Sequence, residues 1–315
     1  MTSETYTFIN MKKSKKIAIL LFTSDDLREI TRAERLAQEI KNIGLVPEIV
    51  YCDLFSVFFK QNKLEIFYDS KKFNPEKFLC FLPRYSLTTG DLYNKFSIIH
   101  FLNKLGVKTF NSPQAAFLAK NKRDSLVLLA LHDLPIIPTG INYSQFFLDE
   151  HLRRNKNNKI VAKANSGSLG YAVSLLDSQI SFISFMEFMG SQNIEPANIL
   201  IQPFIKSKNQ DYRLIVVGNK VVAAMKRQAK GIEFRSNISK GGTGTKIKPD
   251  KKMVRLAIQA TKVLGLDYAG VDIIKDSKGK LYIVEVNCNS SFEIENITNI
   301  NVAQKIIQYC IEESK

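Results

Sequence analysis

Cysteine and histidine are scarce in this chain of 315 residues, at four and three respectively. Cys52, Cys80, Cys288 and Cys310 fall at no CxxC or CxxH spacing, and they read as reduced thiols of a cytoplasmic protein. His100, His132 and His151 belong to no Ser-His-Asp arrangement and read as surface or helix positions. Fifteen Gly and nine Pro exclude a collagen-like or linker-dominated chain. No apolar run approaches the ~18 residues that a membrane-spanning helix needs. The nearest, Ile17–Phe22, has six, so a soluble protein without a membrane partner is expected. Met11–Lys16 followed by that run imitates a signal peptide. The run is shorter than the ~7–15 residues of an h-region, however, and no small-residue cleavage site follows. It reads as a basic lead-in to a buried first strand, with residues 1–10 a frayed extension. Neither an internal repeat nor a low-complexity tract is found.

What is present is globular: 45% hydrophobic and 24% charged residues, enough for two or three domains. Forty-five Lys and Arg against 30 Asp and Glu give a net charge of +15. The excess is spread along the chain, with 17 basic and 12 acidic residues up to position 110 and 28 against 18 beyond. Such a field attracts nucleotide phosphates, nucleic acid or acidic peptides, and a solvated lysine-rich surface explains it equally well.

The first hundred residues alternate strand and helix. Lys16–Phe22 is a β-branched apolar run of strand length. Ala33, Leu36, Ala37 and Ile40 follow at helical spacing, and Gly44 sits where a C-cap belongs. Val46–Tyr51 and Phe78–Pro83 read as strands, and about Asp91 to Leu105 as a helix. This alternation predicts a parallel, doubly wound sheet. Thr23-Ser24-Asp25-Asp26 follows the first strand without GxGxxG, so a nicotinamide binder is not expected. Beyond Val107, Ser112-Pro113 starts a helix and Lys122–His132 continues as another. Strands follow at Lys159–Lys163, Asn198–Phe204, Tyr212–Val217 and Val221–Met225, the last two joined by a turn at Gly218-Asn219-Lys220. A helix, Met253–Leu264, precedes strands Ala269–Ile274 and Leu281–Val286, and a terminal helix spans Val302–Glu312. This half is expected to be α+β.

Three stretches carry chemistry. Asp272 sits in an apolar strand, and Glu285 and Asn287 end the next one on a shared face. Two carboxylates and an amide oxygen form the all-oxygen set that Mg²⁺ prefers. The alternative is that the acids pair with Lys or Arg, because a buried acid needs a cation of some kind. Next, a strand delivers Lys163 into the small-residue loop Ala164–Gly170, whose N–H groups could cradle phosphate while the ammonium offers a point charge. Gly-Ser turns between strands are common, and the GxxxxGK[ST] order of a P-loop is absent. Finally, Phe234–Asn237 before Gly241-Gly242 places Arg235 beside a flexible loop, or else is an ordinary surface loop.

In this order the three elements resemble the ATP-grasp superfamily, specifically RimK-like carboxylate–amine ligases, from about Lys16 to Ile311. The resemblance is carried by Val221–Asn237 with Gly241-Gly242, and by Ala269–Asp272 followed by Glu285–Asn287. Pro83-Arg84 and Thr139–Ile141 add to it. The resemblance implies a Rossmann-like parallel-sheet domain over 1–107, a small central subdomain over 108–195 and an antiparallel-sheet subdomain with the metal site over 196–315. It implies ATP and two Mg²⁺ ions, with Mn²⁺ as a substitute. Lys122 and Lys163 are implied to contact the phosphates beneath a mobile loop of Gly167, Ser168, Leu169 and Gly170. Gln202, Pro203, Phe204 and Ile205 match the hinge that reads adenine, and Asp211 the ribose contact. Arg227 and Arg235 match cations facing the transferred phosphoryl, Ser236 and Asn237 complete that segment, and Asp272, Glu285 and Asn287 match the Mg²⁺ ligands.

The implied reaction phosphorylates a carboxylate and lets an amine attack the acyl-phosphate, giving an amide, ADP and phosphate. The expected substrates are an amino acid, glutamate in the favoured version, and a peptide or protein carboxyl end. A small-molecule or amino-acid-biosynthetic ligase and a peptide macrocyclase are the alternatives within the class. Outside it stands a basic RNA- or ribosome-binding homologue without activity, so nucleic acid ranks second as a partner. Association into homo-oligomers is also implied. Three positions depart from the family pattern: Pro203 replaces an acidic residue, Ser166 a loop glutamate and Ala172 a glycine. Asn287–Glu293 differs from the Asn-x-Ser-Pro-Gly of glutamate-adding relatives, which leaves the amine least determined.

Overall fold

The computed structural model describes residues 16–85, 92–141, 159–165, 173–192, 198–231, 236, 238 and 241–315. Two compact units emerge, Met1–Pro113 with Ala303–Lys315, and Gln114–Val302.

In the first unit, β1 (Lys16–Leu21), α1 (Leu27–Asn42) and β2 (Val46–Tyr51) form a strand–helix–strand crossover. Asp26 starts α1 by accepting from the N–H of Glu29 at 3.3 Å. Its Ala33, Leu36 and Ile40 are buried, and Gly44 ends the turn at φ +79°, where a side chain would be strained. Next come β3 (Phe55–Lys60), β4 (Lys63–Tyr68) and β5 (Lys71–Lys72). They make a separate antiparallel sheet that the alternation of strands and helices did not predict. Its tight turn runs through Asn62 at φ +58° and contains no glycine, so the usual hairpin signal is missing. The chain returns as β6 (Phe78–Arg84) to pair parallel with β1, giving the order β2-β1-β6. Ile17, Ala18, Ile19 and Leu20 are wholly buried, as a central parallel strand requires. The helix α2 (Leu92–Lys104) follows.

The second unit opens with α3 (Pro113–Lys120) and α4 (Lys122–Leu131). Then β7 (Gly140–Ile141), β8 (Ile160–Ala164), β9 (Val173–Leu176) and β10 (Ile199–Pro203) make an antiparallel sheet of order β7-β10-β8-β9. Between β9 and β10 lies α5 (Gln179–Ser191), whose Phe182 packs on Ile160, Leu176 and Ile201. Seven of the thirteen residues of α5 are Ile, Phe or Met, and they fall on every side of the helix, so no period announced it.

The larger sheet is built from β11 (Gln210–Val217), β12 (Lys220–Gln228), β13 (Thr243–Lys246), β14 (Tyr268–Lys275) and β15 (Leu281–Asn287). Its order is β13-β12-β11-β14-β15 and every pairing is antiparallel. One face is covered by α6 (Lys251–Val263), which buries Met253, Leu256, Ala257 and Ala260. The short α7 (Glu293–Thr298) follows β15. The last helix, α8 (Val302–Glu313), belongs to the first unit, where Tyr309 meets Phe110 edge-on with ring centroids 6.0 Å apart.

Candidate active site

The register of the large sheet lines up charges that are far apart in sequence. Asp211 on β11 stands opposite Arg227 on β12, Arg213 opposite Asp272 on β14, and Asp272 opposite Glu285 on β15. Directly opposed residues share a face, and so do residues two apart along a strand. Arg227, Asp211, Arg213, Asp272, Glu285 and Asn287 therefore form one charged row across four strands.

Arg213 grips Asp272 with two bonds, Nε to Oδ1 at 2.7 Å and Nη2 to Oδ2 at 2.6 Å. Arg227 does the same to Asp211, at 2.7 and 2.5 Å, and its Nη2 reaches Asp272 at 3.0 Å. Ser236 adds a hydrogen bond to Asp211. Burial works against the charge on Asp272, but Arg213 and then Arg227 hold its carboxyl down at about 2. Burial likewise opposes the Arg227 guanidinium, yet Asp272 and Asp211 keep it above its usual range. Glu285 lies 4.0 Å from Arg213 and accepts from Asn287 Nδ2 at 3.0 Å.

The lysines come from the smaller sheet and α4. Lys163 leaves β8 one residue before Ala164 ends the strand, and Lys122 is the first residue of α4. Asn165 ties the two together: its carbonyl accepts from Lys122 N at 3.3 Å and its Oδ1 from Arg123 N at 2.9 Å. Both ammonium groups feel Glu285. Burial pushes Lys163 down to about 8, with Lys122 adding repulsion and Glu285 opposing. Burial also lowers Lys122, against the pull of Glu285. Two desolvated ammoniums sharing one nearby carboxylate form a cradle whose charge a polyphosphate would complete.

The donor set also fits a hard cation. Glu285 and Asn287 offer oxygens, with the Glu285 side chain 27% exposed. A carboxylate has about four lone-pair sites. The two Arg213 bonds and the Arg227 contact use three on Asp272, which leaves capacity for a metal. The pairing of Asp272 with arginine, weighed above as the alternative to metal, is thus present alongside the oxygen set.

The adenine-hinge residues lie at the end of β10. Gln202 is buried and donates from Nε2 to Thr139 Oγ1 at 2.8 Å, while its Oε1 has no hydrogen-bond partner among the described residues. Pro203 ends the strand opposite Ile160, and Phe204 and Ile205 follow half-buried, Phe204 donating its N–H to the Lys159 carbonyl at 3.0 Å. Gly167, Ser168, Gly170, Arg235 and Asn237 fall outside the described residues. After Asn287 the chain packs tightly on β14: a Cβ on Gly270 would lie 2.3 Å from Ser290 Oγ. Asn289 has both ends of its amide buried without a hydrogen-bond partner among the described residues.

Arg213 is the residue that reading the sequence missed. Its signal was Asp211-Tyr212-Arg213, two opposite charges at strand spacing ahead of the apolar run Leu214–Val217.

Similar proteins share this architecture. A solved structure of the ATP-grasp ligase PsnB complexed with a minimal precursor superposes with a TM-score of 0.73 at 17% identity, covering 96% of this chain and 100% of that one. D-cycloserine synthetase DcsG gives 0.71 at 15% identity, over 95% and 100%. These establish an ATP-grasp fold. The RimK-like ATP-grasp domain family matches residues 119–310. A "Probable alpha-L-glutamate ligase" of Legionella pneumophila (strain Corby) is 36% identical over 225 residues, 71% of this chain and 73% of the relative. Another so named, from Marinomonas sp. (strain MWYL1), is 32% identical over 285 residues, 90% of this chain and 89% of its own. The chain belongs to the RimK-like ATP-grasp family of ligases, whose nucleotide is ATP and whose metal is Mg²⁺.

Proposed function

We propose that this ligase activates a peptide or protein carboxyl end as its acyl-phosphate and joins it to the amine of an amino acid, glutamate, releasing ADP and phosphate. The observation that carries the reading is the convergence of half-buried Lys122 and Lys163, both facing Glu285, with the Asp272–Glu285–Asn287 oxygen set. Lys122 and Lys163 hold the phosphates and neutralise charge as the γ-phosphoryl leaves. Asp272, Glu285 and Asn287 would hold two Mg²⁺ ions, which when bound offset the negative charge of the β- and γ-phosphates. Arg213, whose side chain is 15% exposed, orients Asp272 through two hydrogen bonds. Arg227, 3% exposed and clamped between Asp211 and Asp272, is a positioning residue that fixes both aspartates. No protein nucleophile is required, because the reaction depends on alignment and charge.

Glutamate is supported by the names of curated relatives at 32–36% identity. A second reading, another amine, is favoured by Asn287-Cys288-Asn289-Ser290-Ser291, where both ends of the Asn289 amide are buried without a hydrogen-bond partner among the described residues. The test is ADP release against a panel of free amino acids with peptides as carboxylate donors. Turnover with glutamate and peptide together supports the proposal. Turnover with a single small metabolite and no peptide refutes it.

A further inference from the structure

A second feature lies away from the charged row, at the outer edge of the large sheet. β13 pairs with β12 only from Met225 to Gln228. One further bond, from Ile247 N to the Ala224 carbonyl at 3.2 Å, ends the ladder, and the chain then turns away through Lys248 and Pro249 into α6. Lys220–Ala223 are thus paired with β11 on one side, and among the described residues no strand pairs with them on the other. An open edge of this kind is a template for an added strand.

The departure of the chain opens a groove of about 640 Å³ beside that edge. Its walls include Val221 and Val222 on the strand, Ile247 and Pro249 on the departing segment, and Val254 and Ile258 of α6. A smaller groove of about 360 Å³ shares Val254 and Ile258 and extends to Lys251 and Arg255. The rim is strongly basic. Lys220, Lys248, Lys251 and Arg255 are exposed, and among the described residues none has an ion pair. The one acid between Lys246 and Arg255 is Asp250, already committed to capping α6 through Met253 N at 2.8 Å.

We infer that this edge and groove bind an extended acidic polypeptide as an added strand. Backbone bonds to Lys220–Ala223 would supply affinity, alternate apolar side chains would enter the groove, and acidic ones between them would meet the lysine rim. Nucleic acid fits less well, because no aromatic side chain lines the groove to stack a base. The inference goes beyond the ligase chemistry and does not depend on it.

The test is fluorescence anisotropy of the full chain with a fluorescein-labelled peptide of alternating Glu and Val, about eight residues long, near the upper end of usual strand lengths. The expected result is saturable binding that weakens with salt. Lys248→Glu with Lys251→Glu should weaken it by more than roughly tenfold while leaving ADP release unchanged. Hydrogen exchange should slow at the amides of Lys220–Ala223 when the peptide is bound. Equal binding of a Glu-Ser peptide, unaltered affinity in the double variant, or exchange protection elsewhere would overturn the inference. So would displacement of the peptide by an oligonucleotide of equal charge, or loss of self-association in the double variant without any peptide binding.

Discussion

Replacing Asp272 with asparagine tests the centre of the charged row. The carboxylate is 2% exposed and takes three guanidinium contacts at 2.6–3.0 Å. Asparagine keeps the shape but turns an N–H toward a guanidinium donor and leaves Arg213 and Arg227 underpaired. Removing one partner of a buried ion pair costs about 3–5 kcal/mol. The displacement of the carboxyl from 3.8 to about 2 gives about 2 kcal/mol by linkage. The expected loss is therefore about 2–4 kcal/mol, or roughly 5–15 °C in unfolding midpoint for a unit of this size. The sign follows from the lowered folded value. Asp272 stabilises the fold fully above about pH 4, and that contribution fades as pH falls through about 2. The gap between wild type and D272N, read by urea unfolding, should then narrow over that interval. ADP release should vanish in the same variant. Glu285→Gln, altering a side chain 27% exposed, should lose turnover with little change in midpoint. A D272N protein that unfolds with the wild type, or a gap constant from neutral to acid pH, would refute the reasoning.

Lys163, held down at about 8 by burial, should lose its proton as pH rises through that value, so nucleotide affinity measured by calorimetry should fall above it. A flat profile between neutral and alkaline pH would contradict the phosphate role. Arg213→Met leaves Asp272 with Arg227 alone, so its carboxyl should titrate higher and ADP release should drop by roughly a hundredfold or more; unchanged kcat would remove Arg213 from the site. Asn165→Ala removes the 2.9 Å bond to Arg123 N and should cost about 1 kcal/mol. It should also raise KM for ATP more than it lowers kcat, because Lys122 and Lys163 flank that bond.

Much of the scaffold was legible because its signals are local. The run at Ile17–Phe22, the end of α1 at Gly44 and the turn at Gly218-Asn219 each reflect preferences of a few neighbouring residues. The β3–β5 meander and α5 were missed for the opposite reason. One turns through Asn62 instead of glycine, and the other is apolar on every side, so neither shows the expected punctuation or period. The oxygen trio of the site was visible because period two places Glu285 and Asn287 on one face within one strand.

What the sequence determined alone was which residues could do the work: two lysines near loop or helix starts, two acids in apolar strands and an amide at a strand end. What tertiary structure decided was their company. Arg213 meets Asp272, and Arg227 bridges Asp211 to Asp272, only because the antiparallel register of β12, β11 and β14 sets them opposite one another. Register is fixed by burial of whole strand faces and by a bulge at Ile215/Val216, both properties of the assembled sheet. Desolvation of Lys163 likewise has no meaning until the surrounding chain has excluded water from it.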